Sequence, residues 1–431
     1  MTNRFLTAAT LAIVLLVSCG APPAAPTPTP TPTTEVQPSV EQQDRIQQVE
    51  QGLIPLTPGG DLDFEDRRPL AERMEYYGVP GLSIAVIEDY RLVWAKGYGL
   101  LEAGGDTPVT PDSLFHAGSI AKPVSAAAAL VLVEQGLLDL DQDVNDKLTS
   151  WQVPENTYTT EEKVTLRRLL SHSSGLTDGF PMRSSSDPEY GWGRASEGQR
   201  PSVTVQQLLE AEPTVDGGSP TRVTRVPGTA YQYSNLGYGV VQLLVTDVTH
   251  QSFSDLMSEI VLEPVGMADS TFVQPLPEAF RARAATEHDV NGLPFEGKRH
   301  HFPVLAAGGL WTTPSDLARF AIELMRAHAG KSDQLLSEEM AGEMFTPQIE
   351  TGESGLVDSY GLGFDLGGNG QAFRFMHTGG TWGSTSLLWV HPETGQVVVI
   401  MTNSTTGNGA IRFEILAAIA VVYGWPLEVP Q

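Results

Sequence analysis

Cysteine is nearly absent: among 431 residues the only thiol is Cys19. No disulfide can close within the chain and no cysteine-based metal site can form. Basic charge is scarce too, with 26 Lys and Arg against 52 Asp and Glu and a formal net charge of −26. The acidic excess is spread along the sequence, so the basic footprint required by nucleic acid or an anionic membrane surface is missing. Nine histidines include no His-Glu-x-x-His and no pair at ligand spacing on a helix; no metal and no other cofactor is expected. Gly-x-Ser-x-Gly, the nucleophile elbow of α/β-hydrolases, does not occur. The glycine-rich string from Gly361 to Gly370 has no following helix or basic residue, so it reads as a hairpin loop and not as a phosphate cradle.

Long apolar runs are missing as well. Residues 1–18 carry Arg4 and then an apolar stretch, Phe5 to Val17, which is too short to span a bilayer and reads as a secretory signal peptide. Its ending, Leu16-Val17-Ser18-Cys19-Gly20, resembles a bacterial lipobox. The resemblance implies cleavage before Cys19, diacylglycerol on its thiol, and a lipoprotein anchored at the extracytoplasmic face of the cell envelope. Residues 19–59 read as the lipidated cysteine and a linker with Pro-Thr repeats. At ~3.1 Å per residue in polyproline geometry, some twenty such residues form a tether of up to ~60 Å.

The folded part is expected over 60–431. Asp61 to Tyr77 carries a helical pattern (Leu70, Met74, Tyr77) that Val79-Pro80-Gly81 stops. Leu82–Ile87 and Leu92–Ala95 read as a hairpin, Ser386–Val390 and Gln396–Ile400 as another, and Ala410–Tyr423 as a closing apolar helix. Strands at both ends with helical sequence between predict an α/β (α+β) fold. One antiparallel sheet would come from 60–115 and 300–431, with a mainly helical insertion over 116–299.

Candidate chemistry begins at Ser119-Ile120-Ala121-Lys122. Residues three apart on a helix share a face, so the hydroxyl and the amine can touch. Serine is a poor nucleophile until a base takes its proton, and an amine shielded from water has its pKa lowered toward that task. Pro123 fits only the first turn of a helix, which places the helix start near Ser119. Tyr231-Gln232-Tyr233-Ser234-Asn235 offers a phenol and an amide, and His377-Thr378-Gly379-Gly380 precedes a strand with small residues that let a substrate backbone lie close. His116 and His172 read as packing residues.

These motifs, with Ser171–Leu176 and Ala307–Leu317, resemble the serine β-lactamase and penicillin-binding protein superfamily, in particular its class C β-lactamase-like branch. The resemblance runs from about Phe64 to Tyr423. It implies the β-lactamase/transpeptidase-like fold and catalysis by Ser119, Lys122 and Tyr233. It also implies an oxyanion hole from the N–H groups of Ser119 and Gly380, and substrate binding by Asn235, His377, Thr378, Gly379 and Gly380. Asn235 would hold both the substrate amide and Lys122. The expected activity is extracytoplasmic hydrolysis, through an acyl-enzyme, of a small-molecule or short-peptide ester or amide, D-amino-acid peptides included. Tyr233 needs nearby cationic charge, with Lys122 the obvious source, before its phenol can serve as a base; either group can be that base. β-Lactamases keep a lysine where His377 stands, and a histidine is a weaker hook for a substrate carboxylate. A true class C β-lactamase and a non-catalytic cell-wall sensor are the alternatives.

Overall fold

A computed structural model of the protein describes residues 39–57, 59–178, 203–211, 219–352, 356–405 and 409–426. The expected signal peptide, Cys19 and the Pro-Thr repeats lie outside the described residues, as do 180–202 of the long loop expected before Val203.

β1 (Gly81–Glu88) and β2 (Arg91–Gly99) form the first hairpin. Its turn puts Asp89 and Tyr90 at φ 49 and 61, a left-handed pair matching the twist of a two-residue hairpin. β3 (Phe115–His116) pairs with β4 (Trp311–Thr312) away from the main sheet. Then come β5 (Ile349–Glu350), β6 (Ser359–Tyr360), β7 (Asp365–Gly367), β8 (Arg374–Gly380), β9 (Thr385–His391) and β10 (Gln396–Thr402). The main sheet runs β2-β1-β10-β9-β8-β7-β6-β5, antiparallel throughout. Strands from the two ends of the folded body therefore pair side by side, second and third from the β2 edge, where Leu82 pairs with Thr402 and Ile87 with Val397. That is the sheet expected from the sequence.

Side chains alternate across a strand, and here both faces are covered. Leu82, Ile84, Val86, Val398 and Ile400 pack against the helices Val40–Gln51, Leu70–Tyr77 and Ile411–Tyr423. Ala85, Ile87, Val397 and Val399 face the opposite layer, with the helices Ala121–Glu134 and Pro314–His328. Two-sided burial explains why these strands read as unbroken apolar runs. The Ala121–Glu134 helix is buried nearly all round, and its run of alanines permits that close packing. No helix among the described residues is long and apolar enough to cross a membrane.

Order begins earlier than Gly60. Val40–Gln51 is a helix with a capping box: Gln42 N–H donates to Ser39 Oγ at 3.2 Å, and Ser39 N–H to Gln42 Oε1 at 2.8 Å. Ile46 and Val49 bury its narrow apolar stripe, so the second half of the expected linker belongs to the folded body. The Asp61–Tyr77 helix is correspondingly shorter, Leu70–Tyr77. The Gly361–Gly370 loop contains β7, which pairs with β6 and β8.

Candidate active site

Three distant segments converge at one end of the sheet. The chain leaves β3 through Ala117, whose N–H donates to Leu310 O at 2.9 Å and whose carbonyl accepts from Ser386 Oγ at 2.6 Å. Gly118 then turns at φ +56. A methyl group built on it would stand 2.7 Å from the Gly380 nitrogen, so no larger residue fits. A single 3-10 turn, Gly118–Ile120, presents Ser119 and leads into the Ala121–Glu134 helix.

One turn on, Lys122 is fully buried. Its Nζ donates to Ser119 Oγ at 3.0 Å, Asn235 Oδ1 at 2.9 Å and Ala307 O at 2.9 Å. Burial pulls its pKa down to about 7, although the Asp178 charge pushes the other way. The amine lies 4.7 Å from the centre of the Tyr233 ring, and Tyr233 is hydrogen-bonded to Ser119. Serine, lysine and tyrosine are thus brought together as expected. The tyrosine's electrostatics are not: burial holds its pKa well above 10, and the lowering influence is the Ser119 hydrogen bond, not the Lys122 charge. With a pKa near 7 the amine is only partly charged at neutral pH, which weakens its pull on the phenol.

Asn235 begins the Asn235–Thr249 helix, its Nδ2 donates to Asp178 Oδ2 at 3.0 Å, and it does not line the cleft. Asp178 also accepts from the Leu236 N–H at 3.1 Å, so it fixes which end of the amide faces Lys122. Of the two roles expected of Asn235, the structure shows the hold on Lys122.

His377 is buried on β8, with its pKa pushed down to about 3 by burial and next by the Lys122 charge. Its Nδ1 stands 2.6 Å from Thr378 O, which can only accept, so Nδ1 carries the proton and Nε2 accepts from Tyr360 Oη at 3.1 Å. A neutral ring is a weak partner for a carboxylate. Thr378 and Gly380 line the cleft; Gly379 does not. A methyl on Gly379 would come within 2.0 Å of Ala117 O. That glycine admits the nucleophile's own loop.

The cleft in front of Ser119 has a volume of about 510 Å³, within the usual range for small-ligand sites. Leu356, Val357, Met376 and Phe413 give it an apolar wall, and Asp365 is its only charged lining residue among those described. Behind it stands a buried carboxylate that the sequence did not single out. Glu287 Oε1 accepts from Thr381 Oγ1 at 2.8 Å and His116 Nδ1 at 3.1 Å. Its Oε2 accepts from the N–H and Nδ1 of His300 at 2.6 and 2.8 Å. Glu287 therefore ties the turn after Gly380 to the strand before Ser119. His116, stacked on Trp311 at 4.9 Å, and His172, 4.2 Å from the Tyr233 ring, pack as expected. Among the described residues no group of His, Cys, Asp or Glu is placed to hold a metal ion.

Fold and site together define a serine hydrolase of the β-lactamase and penicillin-binding type. Residues 67–421 match the model of the Beta-lactamase family, and the chain belongs to that family. It is 29% identical to penicillin-binding protein 4 of Amycolatopsis lactamdurans over 347 residues, covering 77% of this chain and 83% of that one. It is 26% identical to an unguisins hydrolase of Aspergillus campestris, covering 85% of this chain and 65% of the relative. Among solved structures, the octameric penicillin-binding protein homologue from Pyrococcus abyssi superposes with a TM-score of 0.67. That match has 25% identity and covers 84% of this chain and 78% of the other.

Proposed function

We propose that this serine hydrolase cleaves neutral or cationic esters and amides, D-amino-acid peptides among them, through an acyl-enzyme on Ser119. The observation that carries the reading is the Lys122 amine, buried, 3.0 Å from Ser119 Oγ and with its pKa near neutrality. Of the two groups that could accept the serine proton, Lys122 is the base. Tyr233, with its pKa raised, stays a phenol that holds Oγ in place. Ser119 Oγ gives its proton to Lys122 Nζ and bonds to the substrate carbonyl carbon. The negative oxygen that develops is held by the N–H groups of Ser119 and Gly380. As the carbonyl re-forms, the leaving oxygen or nitrogen departs with the proton from Lys122. Water then attacks the acyl-enzyme, giving its proton to Lys122; collapse returns the proton to Ser119 and releases the acid.

Charge selects the substrate class. No lysine or arginine is among the described lining residues, and His377 is neutral. A carboxylate-bearing β-lactam finds no lysine or arginine among those described residues. The β-lactamase alternative has the penicillin-binding relative in its favour and this lining against it; a non-catalytic sensor has no use for a lysine poised on the serine. A panel of p-nitrophenyl esters, D-alanyl amides and nitrocefin tests the reading on native protein and Ser119→Ala. Esters and amides are expected to turn over faster than nitrocefin, and the substitution abolishes all turnover. Undiminished turnover in Ser119→Ala would overturn it, and nitrocefin as the best substrate would promote the β-lactamase.

We place the enzyme at the extracytoplasmic face of the envelope, anchored through lipid on Cys19, a reading supported by the Leu16–Gly20 sequence. Cys19→Ser is expected to move the protein from the membrane to the soluble fraction and to abolish palmitate labelling. Continued sedimentation with membranes would remove the anchor.

A further inference from the structure

The peptide group joining Gly379 to Gly380 is contacted at both ends. Its N–H belongs to Gly380, a donor to the oxyanion in the reading above. Its carbonyl, on Gly379, accepts from Arg412 Nη1 at 3.0 Å. The same nitrogen also donates to the carbonyl of Ser386, the residue opposite Gly379 in the β8–β9 register. Arg412 Nε donates to Gly409 O at 2.9 Å. Arg412 stands in the first turn of the Ile411–Tyr423 helix, 6% exposed. Its neighbour Phe413 lines the cleft and Arg412 does not, so it is no substrate anchor. Among the described residues no carboxylate pairs with it. Burial lowers its pKa only to about 10, and it remains a cation at neutral pH.

An unneutralised buried charge is costly, and three carbonyl oxygens are a weak return for it if the task were packing alone. Its position supplies the rest of the explanation. A charged donor on a peptide oxygen draws electron density toward that oxygen, and hydrogen bonds in series strengthen one another. The N–H at the other end of the same peptide then becomes a stronger donor. In a water-poor site the charge also acts directly on a nearby anion.

We propose that Arg412 is a positioning residue for the oxyanion site, which fixes and polarises the Gly379–Gly380 peptide so that the Gly380 N–H binds the developing negative oxygen more strongly. This rests on the acyl-enzyme reading. The helix closing the chain thereby contributes to catalysis without touching substrate.

The test is the infrared carbonyl stretch of the acyl-enzyme, formed with a slowly hydrolysed, carbonyl-labelled ester. In the native protein the stretch falls below that of the same ester in water. In Arg412→Met it returns toward the water value, and acylation slows by about tenfold to a hundredfold with KM nearly unchanged, somewhat less than the cost of deleting an oxyanion donor outright. Arg412→Lys recovers part of both. Should Arg412→Met not fold, Arg412→Gln, which keeps a donor without the charge, must show the same rise. An identical stretch in the native protein and the folded neutral variant overturns the role of Arg412 alone. Absence of any acyl adduct on Ser119 in the native protein overturns the hydrolase reading beneath it.

Discussion

Lys122→Met is expected to acylate Ser119 about 10³-fold more slowly than the native enzyme, the middle of the range for a positioned general base. The native pH profile supplies the second half of this prediction. Below about 7 the amine is an ammonium and cannot take the serine proton, so kcat/KM rises with pH through that value and then levels. In Lys122→Met that limb disappears. Asp178→Asn moves it in a definite direction: the carboxylate favours the ammonium, so its loss shifts the limb to lower pH. The plateau also falls, because Asn235 Nδ2 and the Leu236 N–H donate to different oxygens of Asp178, and asparagine keeps only one of them. Measurement of kcat/KM between pH 5 and 9, at ester concentrations far below KM, checks all three. A native profile flat through neutrality would take the base role away from Lys122.

Glu287→Ala carries the largest expected loss of stability, about 3–5 kcal/mol, the usual cost of breaking a buried charged network by removing one partner. Burial by itself would raise the pKa of this carboxyl, but His300 and His116 hold it well below the ordinary range, so it is ionised at neutral pH. Its removal strands both histidines and the Thr381 hydroxyl in the interior. Urea unfolding checks the loss. Glu287→Gln, which keeps two oxygen–nitrogen contacts, is expected to lose less. A change under about 1 kcal/mol in Glu287→Ala would mean that the network is dispensable.

Ser119, Lys122 and Tyr233 are legible in the sequence because the chemistry dictates both residue types and, for the first two, their spacing. The central strands are legible because burial on two faces leaves apolar runs too short for helices. Other features hide for physical reasons. Asp178, Asp365, Glu287 and Arg412 are single charged residues in a chain full of acids, and each acquires meaning only through partners far along the sequence. β5, β6 and β7 have two or three residues each, which is too few to display an alternation. The helix Val40–Gln51 is polar except for Ile46 and Val49, and the Pro-Thr run before it masks its start. Ser39 and Gln42, a capping pair three apart, were the signal available. His377 shows the reverse case: its weakness as an anion hook is plain from residue type, whereas its full neutrality depends on burial beside Lys122.

The pairing of an early strand with the last one also has a consequence for biosynthesis. Strand β1 lies between β2 and β10, so on the ribosome one side of it stays unpaired until nearly the whole polypeptide has emerged. During that interval Leu82–Ile87 is an adhesive edge of the kind that recruits chaperones or other nascent chains. Non-local pairing of this type is slow to form.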